Sequence, residues 1–307
     1  MKFIIICLCF SVFIVAHAMD KEMMSTKADV KMTYQDIQKT LGIVPSFMKL
    51  YPEMGISAAW EEYRSVFINP DTALSGKLKQ LIVAGIAAQT PSEECSYMST
   101  EFAKLNGAKE NEIKEAVAIA AATRHWSTLL NGVQYDEAEF RTETNNIITY
   151  VKKEMDKTEK KPEMEKEKSI VVTDAQSAYQ DIKQTLGSVP RFLQLLPQDT
   201  VPGAWKMMKT IQLNPKTALS SKEKELIGMA ISAQIPCKFC AYFHTEAAAL
   251  HGATSQEIHE AIVVASLSRQ WSTVLHGGMI DGKKFHQEID QMVKHLKFKN
   301  GKSVGMK

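Results

Sequence analysis

The sequence has little excess of charge of either sign and few long apolar runs. Its 37 basic and 35 acidic residues leave a formal net charge of +2, which gives no argument for nucleic acid or an anionic membrane surface as a partner. Beyond the N-terminus, no stretch reaches the roughly 20 apolar residues of a membrane-spanning helix. With 307 residues, 45% of them hydrophobic, the composition predicts a globular protein of about two domains. We therefore expect no nucleic-acid partner and no stable membrane insertion.

The longest apolar run lies at the N-terminus and has the pattern of a signal peptide, residues 1–18. Met1-Lys2 gives a short positive start, an almost unbroken apolar run follows from Phe3 to Val15, and Ala16-His17-Ala18 fits a signal-peptidase site. The run is short for a membrane span, so a retained anchor is the less favoured alternative. We predict cleavage near Ala18 and export to the periplasm or out of the cell.

Cysteine is scarce in the remaining chain. Two of the five cysteines lie in the predicted signal peptide, which leaves Cys95, Cys237 and Cys240. Three are too few for a disulfide scaffold. A close pair and a single leftover, in an oxidising compartment, are more typical of redox or metal chemistry.

The chain contains a tandem repeat. Residues 34–132 align with residues 179–277 at a constant offset of 145 and without a gap, and 47 of the 99 positions are identical. Shared landmarks include Asn69-Pro70 against Asn214-Pro215, and Trp126 against Trp271. The repeating unit is therefore a fold of about 100 to 130 residues.

A charged segment separates the two copies. Residues 152–168 are nearly all charged and include one proline, Pro162, and such a composition cannot form a core. A flexible linker is favoured over a helical extension broken at Pro162, because proline costs about 3 kcal/mol inside a helix. The predicted organisation is a signal peptide at 1–18, a first copy at 19–148, a linker at 149–170 and a second copy at 171–307.

The local patterns within each copy are helical. Ser220 and Glu223 form a capping box before an apolar stretch, and Thr254 and Glu257 form another. No alternating run bounded by turn residues predicts a strand. In the second copy we predict helices at 175–186, 202–213, 221–234, 237–250 and 255–275. The predicted fold class is all-α, with two tandem helical bundles.

One of these helices carries a Cys-x-x-Cys-x-x-x-His motif. Cys237, Cys240 and His244 are spaced i, i+3 and i+7, which puts two sulfurs and an imidazole on one helical face. Two α-carbons three positions apart on a helix lie within reach of a disulfide. The preceding helix must turn back near Pro236, and this hairpin would bring Glu225 against His244, where a carboxylate orients an imidazole.

Glu225, eleven intervening residues and then Cys237-x-x-Cys240-x-x-x-His244, in helical surroundings, resemble the AhpD-like alkylhydroperoxidase family within the wider carboxymuconolactone decarboxylase superfamily. The resemblance implies that Cys240 attacks a hydroperoxide and becomes a sulfenic acid, which Cys237 resolves as a disulfide, while Glu225 and His244 move the proton. It also implies a homo-oligomer and a dithiol electron donor, which the sequence does not identify. No cofactor or metal is expected.

The first copy lacks most of this chemistry. Subtracting 145 from the four relay positions gives Gln80, Ser92, Cys95 and Ser99. We therefore expect the first copy to be structural, with Cys95 a small buried residue and the active site confined to the C-terminal half.

Several other interpretations of the motif stay open. Cys237 and Cys240 could form a static structural disulfide, or bind zinc together with His244 and either Glu225 or His251. The protein could also be a disulfide oxidoreductase, a non-redox enzyme related to lactone decarboxylases, or a binding protein. The paired thiols favour redox chemistry, because decarboxylation does not need two cysteines.

Overall fold

The computed structural model describes residues 27–90, 92–160 and 169–304. These residues form thirteen α-helices and no strand, together with four short 3₁₀ or π segments. The prediction of an all-α fold is confirmed. None of the helices in the described ranges is long and apolar enough to cross a membrane. The predicted signal peptide, 1–18, lies outside the described residues.

The chain folds into two compact units that do not coincide with the two repeats. One unit combines the described residues up to Ile68 with the described residues from Gly277 onward, and the other is Asn69–His276. The split predicted from the sequence, 19–148 and 171–307, follows the repeats instead. The units differ from the repeats because helices of both copies pack together inside Asn69–His276.

The smaller unit places a helix from the end of the chain beside helices from its beginning. The rings of Phe47 and Phe285 lie 5.7 Å apart in its core, and Trp60 Nε1 donates a hydrogen bond of 2.7 Å to Asp36. Its elements are α1 (Lys27–Leu41), a 3₁₀ segment (Ser46–Leu50), α2 (Glu53–Tyr63), a π segment (Arg64–Ile68) and α13 (Gly282–Val304).

The larger unit contains the other ten helices of the described residues. From the first copy come α3 (Gly76–Gln89), α4 (Glu93–Leu105), α5 (Glu110–Gly132) and α6 (Glu137–Lys160). From the second copy come α7 (Ala175–Leu186), α8 (Arg191–Gln194), α9 (Val201–Met207), α10 (Ser221–Gln234), α11 (Lys238–Leu250) and α12 (Ser255–Gly277). A 3₁₀ segment (Gln198–Thr200) precedes α9, and a π segment (Met208–Gln212) follows it.

Local capping sets the helix ends that matter for the site. Ser220 accepts a hydrogen bond from Glu223 N while the Glu223 side chain returns to Ser220 N, which completes the predicted capping box at the start of α10. The reciprocal contacts between Thr254 and Glu257 do the same for α12. Gly252 follows α11 with φ +79°, a left-handed conformation that glycine adopts without a Cβ penalty. These three helices therefore lie within two residues of the bounds predicted from the sequence.

Two ion pairs, each with a buried lysine, join the copies reciprocally within the larger unit. Lys224 on α10 lies 3.1 Å from Glu115 on α5, and its side chain is fully buried. At the equivalent positions, Lys79 on α3 lies 2.9 Å from Glu260 on α12. Each lysine belongs to one copy and its glutamate to the other, so both ion pairs connect the two copies.

The segment predicted as a flexible linker is helical over its first half. α6 continues to Lys160, so residues 149–160 extend the preceding helix, whereas 161–168 lie outside the described residues. Val151 packs against the core that includes Ile182, and charged pairs such as Lys157 with Glu154, 2.6 Å apart, support the exposed part.

Candidate active site

The α10–α11 hairpin brings Glu225 and His244 together as predicted. α10 ends at Gln234 and α11 begins at Lys238, so the two helices pack side by side after a short turn. Glu225 Oε2 lies 2.6 Å from His244 Nδ1, and both side chains are buried. A carboxylate accepts hydrogen bonds, so Nδ1 carries a proton in this contact and the ring orientation is fixed.

The two cysteines stand at the start of α11. Their sulfur atoms lie at disulfide-bonding distance, with the α-carbons 5.3 Å apart. Cys237 is the N-cap and not a helical residue as predicted, and its sulfur accepts a hydrogen bond of 3.2 Å from Cys240 N. Both are almost fully buried, with 1% and 4% of their surface exposed, in a cluster that includes Leu130 and Phe140 of the first copy.

Two residues that sequence reasoning missed extend the line of polar groups at both ends. Gln212 Nε2 donates a hydrogen bond of 2.7 Å to Glu225 Oε1. At the other end, Thr123 Oγ1 lies 3.4 Å from His244 Nε2. The structure therefore orders four side chains as Gln212, Glu225, His244 and Thr123, the last contributed by the first copy. Among the described residues, Thr123 and not Cys240 is the hydrogen-bond partner found at Nε2.

A π segment supplies Gln212. In such a segment the backbone bonds run from i to i+5, and π turns often occur at functional sites. The segment Met208–Gln212 directs the buried Gln212 side chain at the carboxylate of Glu225. The equivalent segment of the first copy, Arg64–Ile68, is also π-helical, but Phe67 stands at the position of Gln212. Both copies therefore have the π segment, but only the second copy has a polar side chain at the position of Gln212.

Gly228 makes room for the imidazole. A Cβ built on Gly228 would lie 2.5 Å from Nδ1 and 2.6 Å from Nε2 of His244, far inside van der Waals contact. The equivalent residue of the first copy is Val83, and the equivalent of His244 is Ser99. The copy with the large ring has glycine beside it, and the copy with the small hydroxyl has valine. The two positions have therefore changed together.

Cys240 and His244, but not Cys237, line a cavity of about 70 Å³. One water needs about 10–15 Å³, so the cavity has space for several waters or for the reacting end of a small organic molecule. The first copy provides Thr123, Trp126, Leu130, Phe140, Glu143, Thr144 and Ile147 to its wall, and the second copy provides the rest. The site is therefore composite, and the expectation that it is confined to the C-terminal half is wrong.

Aromatic rings form much of this wall. Phe192 on α8 lies 5.7 Å from the ring of Trp126 and 6.0 Å from that of Phe140, and Phe140 lies 5.3 Å from Phe239. Pairs at these separations attract each other and bury much apolar area. Glu143 is the acidic side chain among the described lining residues, and it accepts hydrogen bonds from Tyr135 and from the backbone of α8. The cavity is thus apolar, with the imidazole and the sulfur at its polar end.

The equivalent positions of the first copy keep the local architecture without the chemistry. Ser92 caps α4 by accepting a hydrogen bond of 3.2 Å from Cys95 N, as Cys237 does for α11. Ser99 donates to the backbone of Ser96, and Gln80 is buried. Cys95 is a free thiol, buried as predicted. Burial raises its pKa, although hydrogen bonds to Ser92 and Ser272 oppose this, so this thiol is poorly reactive.

No group of three or more His, Cys, Asp or Glu side chains in the described ranges is arranged to hold a metal ion. A zinc site would need Cys237, Cys240 and His244 to converge on one point with a fourth ligand. Instead, the two sulfurs face each other at disulfide-bonding distance and Nδ1 of His244 is occupied by Glu225.

Comparison of the sequence with known proteins identifies one matching protein family. The model of the carboxymuconolactone decarboxylase family matches residues 55–138 and 201–277, one stretch in each copy and together more than half of the chain. Neither the curated proteins nor the solved structures gave a match. The helical repeat, its duplication and the family match lead to one conclusion: the chain belongs to the carboxymuconolactone decarboxylase family, as a tandem pair of AhpD-like units with a degenerate first copy.

Proposed function

We propose that the protein is an exported thiol peroxidase, which reduces organic hydroperoxides at Cys240 and passes through a Cys237–Cys240 disulfide. One observation carries the proposal. Cys240 and His244 line the same apolar cavity, and Glu225 lies 2.6 Å from Nδ1 of His244. A nucleophile, a proton donor and the residue that orients this donor are thus assembled beside a space that admits a small substrate.

The reaction begins with the reduced dithiol. The Cys240 thiolate attacks one oxygen of the hydroperoxide and the O–O bond breaks, so the sulfur is oxidised to a sulfenic acid and the substrate leaves as an alkoxide. His244 donates a proton to this alkoxide and gives the alcohol. The Cys237 thiol then attacks the sulfenic sulfur, and its proton leaves with the sulfenic hydroxyl as water while the disulfide forms. A donor dithiol finally reduces the disulfide and is itself oxidised.

The surroundings of the sulfurs favour a small hydroperoxide over a protein disulfide as the oxidant. Both cysteine residues are at least 96% buried, whereas direct thiol–disulfide exchange requires in-line access to a sulfur atom. A slender apolar molecule can enter the cavity beside Cys240, but the surface of a folded protein cannot. The apolar wall also favours an organic hydroperoxide over hydrogen peroxide. Burial of the apolar surface of a substrate against aromatic rings lowers the free energy of the complex.

Single-turnover oxidation tests the proposal. The mature protein is reduced with a dithiol, freed of reagent and mixed with one equivalent of cumene hydroperoxide, and free thiols and peroxide are followed together. We expect two thiols to disappear for each peroxide consumed. Cys240→Ser abolishes both losses, and Cys237→Ser leaves a sulfenic acid that a dimedone reagent traps. Cys95→Ser is the matched control and leaves the two-thiol stoichiometry unchanged.

Each alternative has its own outcome. If peroxide persists while a disulfide-containing peptide is reduced, the protein is a disulfide oxidoreductase. If neither reaction occurs and both cysteines resist reduction in the folded protein, the disulfide is structural and the peroxidase proposal is wrong. Stoichiometric zinc in the purified protein would also contradict it.

A further inference from the structure

The face of His244 that points away from Glu225 meets a side chain of the first copy. His244 Nε2 lies 3.4 Å from Thr123 Oγ1, and Thr123 is 2% exposed. The backbone carbonyl of the same residue lies 3.9 Å from Cys240 Sγ. Thr123 also lines the cavity. One residue of α5 therefore lies beside the imidazole, the sulfur and the substrate space.

The direction of the hydrogen bonds around Thr123 fixes the role of its hydroxyl. Thr123 Oγ1 donates its proton to the carbonyl of Ile119 at 2.9 Å. A hydroxyl has a single proton to give, so towards His244 it offers a lone pair. Its contact with Nε2 is therefore favourable when Nε2 carries the proton.

Both ring nitrogens of His244 thus face acceptors. Nδ1 faces the Glu225 carboxylate, and Nε2 faces the Thr123 lone pair. The other titratable groups near the ring are Cys240 on α11 and Glu143 on α6, which line the same cavity. From the π segment only the neutral Gln212 is directed at the relay, through Glu225, and α5 contributes Thr123.

We propose that Thr123, although it belongs to the copy without the relay residues, is a positioning residue that holds the proton of His244 on Nε2 at the edge of the cavity. This inference rests on the proposed function for its purpose, because that proton is the one that the leaving alkoxide receives. The long distance of 3.4 Å is common for catalytic hydrogen bonds before substrate is bound.

The test uses a spectroscopic measurement that does not depend on activity. In the oxidised full-length protein labelled with ¹⁵N-histidine, the ring nitrogens of His244 are followed by NMR from pH 5 to pH 9, with His244→Gln for assignment. Thr123→Val removes the acceptor at constant shape. It should lower the midpoint of the His244 titration by about 0.5 to 1 pH unit, the equivalent of one hydrogen bond. Thr123→Ser keeps the hydroxyl and should restore the midpoint.

Ser268 provides the matched control. It is the equivalent of Thr123 in the second copy, it is also buried, and it donates the same kind of bond, 2.6 Å to the carbonyl of Val264. Ser268→Ala should leave the His244 titration unchanged. An unchanged midpoint in Thr123→Val, or an equal shift in Ser268→Ala, would overturn the inference.

Single-turnover oxidation at each pH then connects the titration to the reaction. The alkaline limb of the rate profile should move to lower pH in Thr123→Val and return in Thr123→Ser. If the wild type consumes hydroperoxide but the Thr123→Val profile is unmoved, Thr123 has no part in the reaction. If the wild type consumes none while its His244 titration depends on Thr123, the proposed function fails and the assignment of Thr123 stands.

Discussion

At the scale of single residues, the site depends on a glycine, Gly228, as much as on the four side chains of Gln212, Glu225, His244 and Thr123. His244 occupies space that exists because residue 228 is glycine. The first copy shows the converse, with Val83 and Ser99 at the equivalent positions. Packed interiors respond to the addition of one methyl group, so a change at Gly228 acts directly on the geometry of the relay.

Gly228→Ala should therefore displace His244 and reduce the proposed peroxidase activity. The added Cβ would lie about 2.5 Å from the ring, so the imidazole must rotate away from Glu225. We expect single-turnover thiol oxidation to slow by at least about tenfold, and the free energy of unfolding to fall by about 1–3 kcal/mol. Gly203→Ala is the control, because nothing lies within 4 Å of the Cβ that it adds. A Gly228→Ala protein with wild-type rate would contradict this account of the glycine.

Gln212→Phe introduces the residue that the first copy has at this position. It removes the donor of the 2.7 Å hydrogen bond to Glu225 Oε1 and leaves a buried carboxylate oxygen without its partner, at a cost of about 1–3 kcal/mol. We expect slower thiol oxidation and a lower melting temperature. Gln38→Leu removes an exposed amide hydrogen bond and should change neither quantity. Equal effects of the two substitutions would show that Gln212 has no special part.

At the scale of helices, the reciprocal pairs Lys224–Glu115 and Lys79–Glu260 connect α10 with α5 and α3 with α12. Lys224 also donates to the carbonyls of Ile211 and Asn214. These carbonyls flank the end of the π segment that delivers Gln212. The ion pair therefore anchors both the contact between the copies and the segment behind the relay.

Lys224→Met should leave the partly buried Glu115 without its cation and lower the free energy of unfolding by about 1–3 kcal/mol. Chemical denaturation measures this change. The double substitution Lys224→Met with Glu115→Leu should recover much of the loss, because it removes both charges. The exposed pair of Lys114 and Glu110 gives the control: Lys114→Met should have no measurable effect. If the double variant is as unstable as the single one, the loss does not come from the uncompensated charge.

Helix ends set by local capping were predictable from the sequence, whereas the grouping of helices was not. The start of α10 follows from Ser220 and Glu223 alone. The continuation of α6 to Lys160 depends partly on the packing of Val151 on the second copy, and the two compact units depend on contacts between residues far apart in the chain. Such contacts have no signature in one sequence.

The contact of Glu225 with His244 and the pairing of the two cysteines were predictable for a similar reason, whereas the residues around them were predictable only in part. Glu225, Cys237, Cys240 and His244 are close in sequence, so their spacing on two successive helices was sufficient. Gln212 and Gly228 could have been found from the repeat, because the first copy replaces them where it also loses the chemistry. Thr123 gave no signal, because its counterpart Ser268 also carries a hydroxyl.

At the scale of the whole molecule, carboxylates at the contacts between the copies make stability depend on pH. Burial raises the pKa of Glu115, but hydrogen bonds from Thr217, Lys224 and the backbone of Ala218 lower it by more. Glu260 has the same balance, with Lys79 as its cation. Both groups therefore titrate below the usual value for glutamate, which is about 4.3.

The sign of the pH dependence follows from these lowered pKa values. Between the folded and unfolded pKa values the unfolded chain binds more protons, so the stabilisation is fully present above about pH 4.3 and is lost as the pH falls further. We expect the free energy of unfolding, measured by urea denaturation, to fall steeply below about pH 4. Glu115→Gln should give a shallower fall, and an unchanged slope would contradict this assignment.

The composite wall of the cavity has a consequence for how such a chain can diversify. The helices that shape the substrate space on one side, α5 and α6, belong to one repeat, and the helix that carries the sulfurs, α11, belongs to the other. Because both repeats lie on one polypeptide, a change in the wall need not be copied into the nucleophile-bearing half. The first repeat lacks most of the motif residues at its equivalent positions, and it contributes part of the cavity wall. Substitutions in the first repeat could therefore alter which substrate the proposed enzyme accepts, and substitutions in the second repeat could alter the reactivity of its cysteines.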